Sequence, residues 1–269
     1  MDIKYIDAHC HLQFEQYDED REEIIEQMCA EGIAGIVVGT DLELSKKAVA
    51  LAEQHEHLFA TVGLHPNHEE AFDACAFAEL VKHPKVVGVG ECGLDYFRPD
   101  TLDDETRNKQ AMLFNMQIAL AAEAHKPLVI HARPSKGTMD AYHDVIKLLR
   151  AAKAEYPDLR GDAHFFAGGA KEARAFVELG FTVSFTAVVT FARDYDEVIR
   201  SVPLENILAE TDAPYVAPAS RRGERNDPLA IPEIVTRIAI TRGGEPEIVR
   251  AALLNNTKRL FGLAFPIDM

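Results

Sequence analysis

The sequence predicts an α/β protein, a single TIM-type (β/α)8 barrel spanning 1–269. Eight short, β-rich apolar runs alternate with longer segments of helical periodicity, which implies parallel strands joined by helical crossovers. The units average about 34 residues, and 269 residues is an ordinary length for one such barrel. Eight is also the strand number that closes a sheet on itself; a doubly wound open sheet is the competing arrangement.

In order, the expected strands are 5–9, 32–39, 58–64, 86–91, 128–131, 161–165, 181–185 and 207–210, each a brief apolar run. Between them, 18–31, 44–55, 69–83, 105–125, 139–155, 171–179 and 194–202 mostly carry apolar residues at three- and four-residue spacing, the period of a helix with one buried face. Two further helices, about 229–241 and 245–260, close the chain. The longest irregular stretch, 212–227, is rich in Pro, Ala and Arg and follows the eighth strand, long enough to be a functional loop.

Composition narrows the function classes. Hydrophobic residues make up 47% of the chain, yet no apolar stretch approaches the roughly 18 residues of a membrane span, so no membrane role is expected. Cys10, Cys29, Cys75 and Cys92 form no C-x-x-C pair, and the N-terminus lacks a signal-peptide profile. A reducing cytoplasm without disulfides is the expectation, with the protein a monomer or weak oligomer. The net charge of −16 opposes broad electrostatic capture of a polyanion. A local patch of cations can still hold one or two phosphates.

The chemistry sits at the strand ends. His9 and His11 are one residue apart on the first strand, and alternate strand residues face the same way, so both imidazoles can reach one metal ion. Glu91 ends strand four, His131 ends strand five, His164 lies at the end of strand six and Asp212 follows strand eight. In a barrel these carboxyl ends converge on one mouth. Four histidines and two carboxylates there suit a pair of divalent ions with a bridging carboxylate. Mixed nitrogen and oxygen ligands accept Mg, Mn or Zn.

Five segments then resemble the TatD family of metal-dependent hydrolases, in order and nearly end to end. They are Asp7-Ala8-His9-Cys10-His11-Leu12, Gly63-Leu64-His65-Pro66, Gly90-Glu91-Cys92-Gly93-Leu94-Asp95-Tyr96, Pro127-Leu128-Val129-Ile130-His131-Ala132-Arg133 and Glu210-Thr211-Asp212-Ala213-Pro214-Tyr215. The resemblance implies a two-metal phosphoesterase, in many members a deoxyribonuclease acting from the 3′ end. It also implies that His9, His11 and Asp212 hold one ion and His131 and His164 the other, with Glu91 bridging.

That assignment fits the residues' own chemistry. Asp212 is the natural general base, and His65, before a proline at the end of strand three, can donate to a phosphate oxygen or the leaving group. Arg133, two residues beyond His131, is a candidate phosphate contact. Arg221, Arg222, Arg225 and Asn226 lie in the long loop and are expected to steer the strand, while Tyr96, Phe97 and Tyr215 are candidates to stack on unpaired bases.

Other residues are expected to be structural. Cys10 and Cys92 should point away from the ions as small buried hydrophobes, Gly90 and Gly93 should let the backbone bend around Glu91, and His55, His57, His68, His83, His125 and His143 should be in solvent. The segment Pro134-Ser135-Lys136-Gly137-Thr138 departs from the family pattern beside the substrate mouth, and 165–169 and 182–189 are more apolar than usual.

The expected function is thus a metal-dependent phosphodiester hydrolase, a 3′-5′ exodeoxyribonuclease on single-stranded DNA ends. The alternative is an amidohydrolase-type enzyme on a small ester or amide. Against it, many such relatives bridge their ions with a carbamylated lysine, and no lysine ends a strand here. A non-catalytic metal-binding scaffold is a third reading, opposed by the full ligand set with Asp212.

Overall fold

Eight parallel strands run in chain order around a nearly closed barrel: β1 (Tyr5–Cys10), β2 (Ile33–Val38), β3 (Leu58–Val62), β4 (Val86–Asp95), β5 (Leu128–Arg133), β6 (Gly161–Ala163), β7 (Thr182–Phe185) and β8 (Ile207–Ala209). The structure is a computed structural model that describes residues 2–99 and 101–265; both ends of the expected 1–269 unit lie outside the described residues. The β1 end meets the chain just past β8 through a bridge between Cys10 and Ala213, with His11 N donating to Ala213 O and Asp212 N to His9 O. The seam therefore closes at the mouth, where both partners carry candidate ligands.

The helices are α1 (Arg21–Glu31), α2 (Leu42–Gln54), α3 (Ala74–Leu80), α4 (Asp104–Glu123), α5 (Asp140–Glu155), α6 (Ala170–Glu178), α7 (Asp196–Ser201), α8 (Ile231–Arg242) and α9 (Pro246–Phe261). Their starts follow local chemistry. Asp41, Asp73 and Asp103 each accept a hydrogen bond from the backbone N–H three residues on, capping α2, α3 and α4. Asp73 also explains why α3 begins at 74 rather than near 69. Among the described residues no helix is long and apolar enough to cross a membrane.

The side chains sort into two buried layers. Ile33, Val37, Val86, Val89 and Ile130 point outward and pack against the helices in one large cluster. Ile6, Ala8, Ala34, Ile36, Val38, Val129 and Leu208 point inward and meet Leu260, Phe261 and Leu263 from the end of α9. The last helix thus plugs the end of the barrel opposite the mouth. β2 is buried along its whole length, as a strand covered on both faces must be.

Two strands depart from regular register where candidate ligands stand. The β1/β2 pairing shifts between Asp7 and Cys10, and the β4/β5 pairing between Val89 and Cys92. Such irregularities re-aim side chains, here His9 and Glu91. β4 also runs four residues beyond the expected end, to Asp95, and β6 stops at Ala163, leaving His164 in the following loop.

Candidate active site

His9 and His11 leave β1 with their Nε2 atoms 3.1 Å apart. His11 Nδ1 lies 2.9 Å from the carbonyl of Val38 on β2; if Nδ1–H donates there, Nε2 is free as a ligand. Asp212 Oδ1 is 3.6 Å from His9 Nε2 and 3.4 Å from His11 Nε2, and Glu91 Oε2 is 3.7 and 3.8 Å from the same atoms. Donors about 2.1 Å from a tetrahedral centre are about 3.4 Å apart, so these four atoms fit a single cation.

The other oxygen of Glu91 faces the opposite way. Its Oε1 is 2.9 Å from His131 Nδ1, 2.9 Å from His164 Nε2 and 3.5 Å from His65 Nε2. Glu91 is steered there by its N–H, which donates to Gly39 O, and by Gly90 and Gly93, both at positive φ. A Cβ on Gly93 would lie 2.1 Å from His131 O, so the close approach of β4 to β5 requires glycine.

The donor atoms gather in three groups: His9, His11 and Asp212; His9, Glu91 and His164; and His65, Asp95 and His131. His131 and His164 thus fall in different groups that meet on Glu91 Oε1. Asp212 sits at φ +51°, a left-handed conformation that aspartate tolerates better than most residues.

The charges are arranged for neutral ligands around a central anion. Burial and the neighbouring imidazoles of His164 and His11 hold His9 well below the usual histidine range. Burial alone would raise Glu91, but the imidazoles of His164 and His65 and hydrogen bonds from His131 and His164 hold it well below the carboxylate range. Burial pulls His65 down to about 3, so it is neutral at physiological pH. Asn67 N donates to His65 Nδ1, which fixes the ring proton on Nε2, facing the site.

A cleft of about 570 Å³ opens above these groups, lined among others by Phe14, His68, Arg98, Arg133 and Tyr215. The chain matches the family described as TatD related DNase over residues 6–262. It belongs to that family.

An uncharacterized metal-dependent hydrolase, YabD of Bacillus subtilis, is 37% identical over 95% of this chain and 98% of its own length. The 3′-5′ ssDNA/RNA exonuclease TatD of Escherichia fergusonii is 33% identical over 96% and 99%. The crystal structure of YjjV, a TatD homologue from Escherichia coli K12, superposes with a TM-score of 0.87 at 29% identity, covering 98% of this chain and all of that one. TatD membership makes this chain a hydrolase acting on ester bonds, with buried His, Asp and Glu clusters able to bind metal.

Several substrate contacts expected from the sequence lie elsewhere in this TatD chain. Tyr96 is buried, its hydroxyl donates to Asp144 and its face is covered by Arg107, so it has no free face for a base. Arg225 pairs with Asp20 and lies over Tyr17; Arg221 makes a bidentate pair with Asp227; Arg222 stacks on Phe191. None of the three lines the mouth cleft.

Asn226 is fully buried and donates to the carbonyls of Thr211, Tyr215 and Val216, which makes it a strut of the Asp212 loop. The expectation that Arg221, Arg222, Arg225 and Asn226 steer the strand fails because their carboxylate, ring and carbonyl partners, at irregular separations in the sequence, hold them away from the cleft. Arg133 does line the cleft, its guanidinium 4.2 Å from the Phe97 ring, and Tyr215 stays 45% exposed at the rim. Cys10 and Cys92 are buried, as expected. Of the histidines expected in solvent, His57 is buried and His68 lines the cleft.

Sequence reasoning missed three acids. Asp95 Oδ2 lies 3.1 Å from His131 Nε2, and Asp7 accepts from the N–H and hydroxyl of Thr211, beside Asp212. Glu210 Oε2 is 3.3 Å from His164 Nδ1 and 3.7 Å from His9 Nδ1, while Oε1 accepts from Phe165 N–H and Ser184 Oγ. Ser184 also contacts Asp162, whose carboxyl is pushed up to about 7 by burial and the Glu210 charge. All three missed acids lie in the motif segments quoted above. Their signal is an acid two to four residues from a candidate ligand.

Proposed function

We propose that this chain is a 3′-5′ exodeoxyribonuclease that uses two divalent ions, Mg, Mn or Zn, on single-stranded DNA ends. The observation that carries the reading is the division of Glu91, with one oxygen toward His9, His11 and Asp212 and the other toward His131 and His164, beneath an open cleft. Bound divalent ions supply Lewis acidity and make water acidic enough to ionise near neutral pH.

The protein's own groups do the rest. Asp212 Oδ1 faces the His9 and His11 nitrogens, leaving Oδ2 to accept the proton of the attacking water. Neutral His65 donates its Nε2–H to a phosphate oxygen or the leaving group. Arg133, held flat on Phe97, binds a second phosphate oxygen, and Tyr215 stacks on the terminal base. Cys10, Cys29, Cys75 and Cys92 are scattered with no C-x-x-C pair, and we take the enzyme to be cytoplasmic.

The test is release of nucleotides from a 3′-labelled single strand with Mg²⁺, Mn²⁺ or chelator, comparing wild type with Asp212→Ala. Shortening that needs metal and falls by about 10²–10⁴-fold in the variant is expected. Metal-loaded protein that leaves the strand intact with every ion refutes the nuclease reading and favours a small ester or amide as substrate.

A further inference from the structure

A second concave surface lies outside the mouth, in a groove of about 390 Å³ between α5 and α6 lined by His143, Ile146, Lys147, Arg150, Lys171, Glu172 and Ala175. Its charge is opposite to that of the molecule, which carries −16 overall. Several cations elsewhere are paired with acids: Arg107 with Asp140, Arg221 with Asp227, Arg225 with Asp20, Arg237 with Asp196 and Lys82 with Glu79. Lys147, Arg150 and Lys171 are exposed, and among the described residues their charged groups have no carboxylate or hydrogen-bond partner. The one acid in the groove, Glu172, is buried and engaged with the Gly169 N–H and His143.

The groove adjoins the active-site mouth. The loop after β6 separates them: Phe165 and Ala167 line the cleft, Ala167 N–H donates to the Tyr142 hydroxyl on α5, and Gly169 leads into Lys171 and Glu172 on the groove side. His143 is in the first turn of α5, at the mouth end, and Lys147 and Arg150 follow at helical spacing. From His143 to Arg150 is roughly 10 Å along the axis. That length lets the groove follow the backbone of a single strand over more than one phosphate. Ile146 and Ala175 supply an apolar floor between the charges.

We propose that this groove binds the phosphodiester backbone of the single strand on the 5′ side of the nucleotide held in the mouth. It is thereby a secondary substrate site that rewards longer strands. The proposal rests on the nuclease reading and adds the substrate-length preference. It also locates a local exception to the acidic surface that a polyanionic substrate needs.

The experiment compares wild type with the triple variant Lys147→Ala, Arg150→Ala, Lys171→Ala, all three exposed and outside the lining of the mouth cleft. kcat/KM is measured on a dinucleotide and on a strand of about 15 nucleotides, at fixed Mg²⁺ and roughly 50 and 200 mM salt. If each cation neutralises one phosphate, wild type on the long strand loses roughly 20-fold more than the variant between the two salts. The dinucleotide is cut equally by both proteins, and their melting temperatures agree. Equal salt slopes and equal long-strand kcat/KM in the two proteins, with the dinucleotide still cut, overturn the groove and leave the nuclease intact. Failure of wild type on both substrates overturns the nuclease reading and the groove with it.

Discussion

Replacing Glu210 by glutamine keeps the size of the side chain and changes only what its atoms can accept. Its neighbours are donors: Phe165 N–H and Ser184 Oγ–H reach Oε1, and Oε2 lies 3.3 Å from His164 Nδ1 and 3.7 Å from His9 Nδ1. If His164 and His9 ligate through Nε2, their Nδ1 atoms carry the proton and need an acceptor. A glutamine offers one oxygen and one NH2. With its oxygen on Phe165 and Ser184, the NH2 faces the imidazoles and drives the proton of His164 onto Nε2, where it blocks ligation; turned the other way, the NH2 confronts the Phe165 N–H, which can only donate.

Losing the partner of one ligand histidine costs about 10–100-fold in metal affinity, and Glu210 serves one histidine at close range and a second at longer range, so the expectation is about 100-fold. The displaced buried donors cost about 1–3 kcal/mol of stability. Metal affinity is read by titrating the chelated protein calorimetrically, and turnover on the labelled strand should fall in parallel at limiting metal. Glu210→Gln protein with wild-type affinity and turnover would refute the argument that Glu210 sets the histidine tautomers.

Three further outcomes follow from individual contacts. Asn226→Ala strips donors from three carbonyls in the loop that carries Asp212, so thermal unfolding should show a loss of about 1–3 kcal/mol and kcat a fall of roughly 10- to 100-fold; a stable variant with normal kcat contradicts the strut role. Removing metal with a chelator should lower the melting temperature, by about 2.7 kcal/mol of stability if the ion was present at about 100 times its Kd. An unchanged melting curve argues against metal held by the folded state.

Burial would raise the Asp140 carboxyl, but hydrogen bonds from Arg107, Ser135 and Thr138 hold it below the carboxylate range. A depressed folded-state pKa stabilises above the unfolded value of about 3.9 and is lost as pH falls below it. The stability gap between wild type and Asp140→Asn should therefore be full at neutral pH and shrink on acidification through that range; a gap constant with pH rules the ionised contact out.

The amino-acid sequence by itself determined the architecture and the address of the chemistry, because both rest on local pattern. Apolar runs and helical periodicities are properties of neighbouring residues, and β6 or α5 appears within a few residues of where its pattern lies. Parallel strands with helical crossovers must bring their carboxyl ends together, so His9, His11, Glu91, His131, His164 and Asp212 were legible as a set before any contact was known.

The tertiary structure alone decided which partners these side chains take. Tyr96, just past β4, met Arg107 on α4, Arg225 reached Asp20 about 205 positions away, and Asn226 turned inward under the Asp212 loop. The same closure set Glu210 behind His164 and His9, and Asp95 behind His131. A charged or amide side chain is satisfied equally by water, a carboxylate or a carbonyl. Which of these it meets depends on atoms that only barrel closure brings within hydrogen-bonding distance.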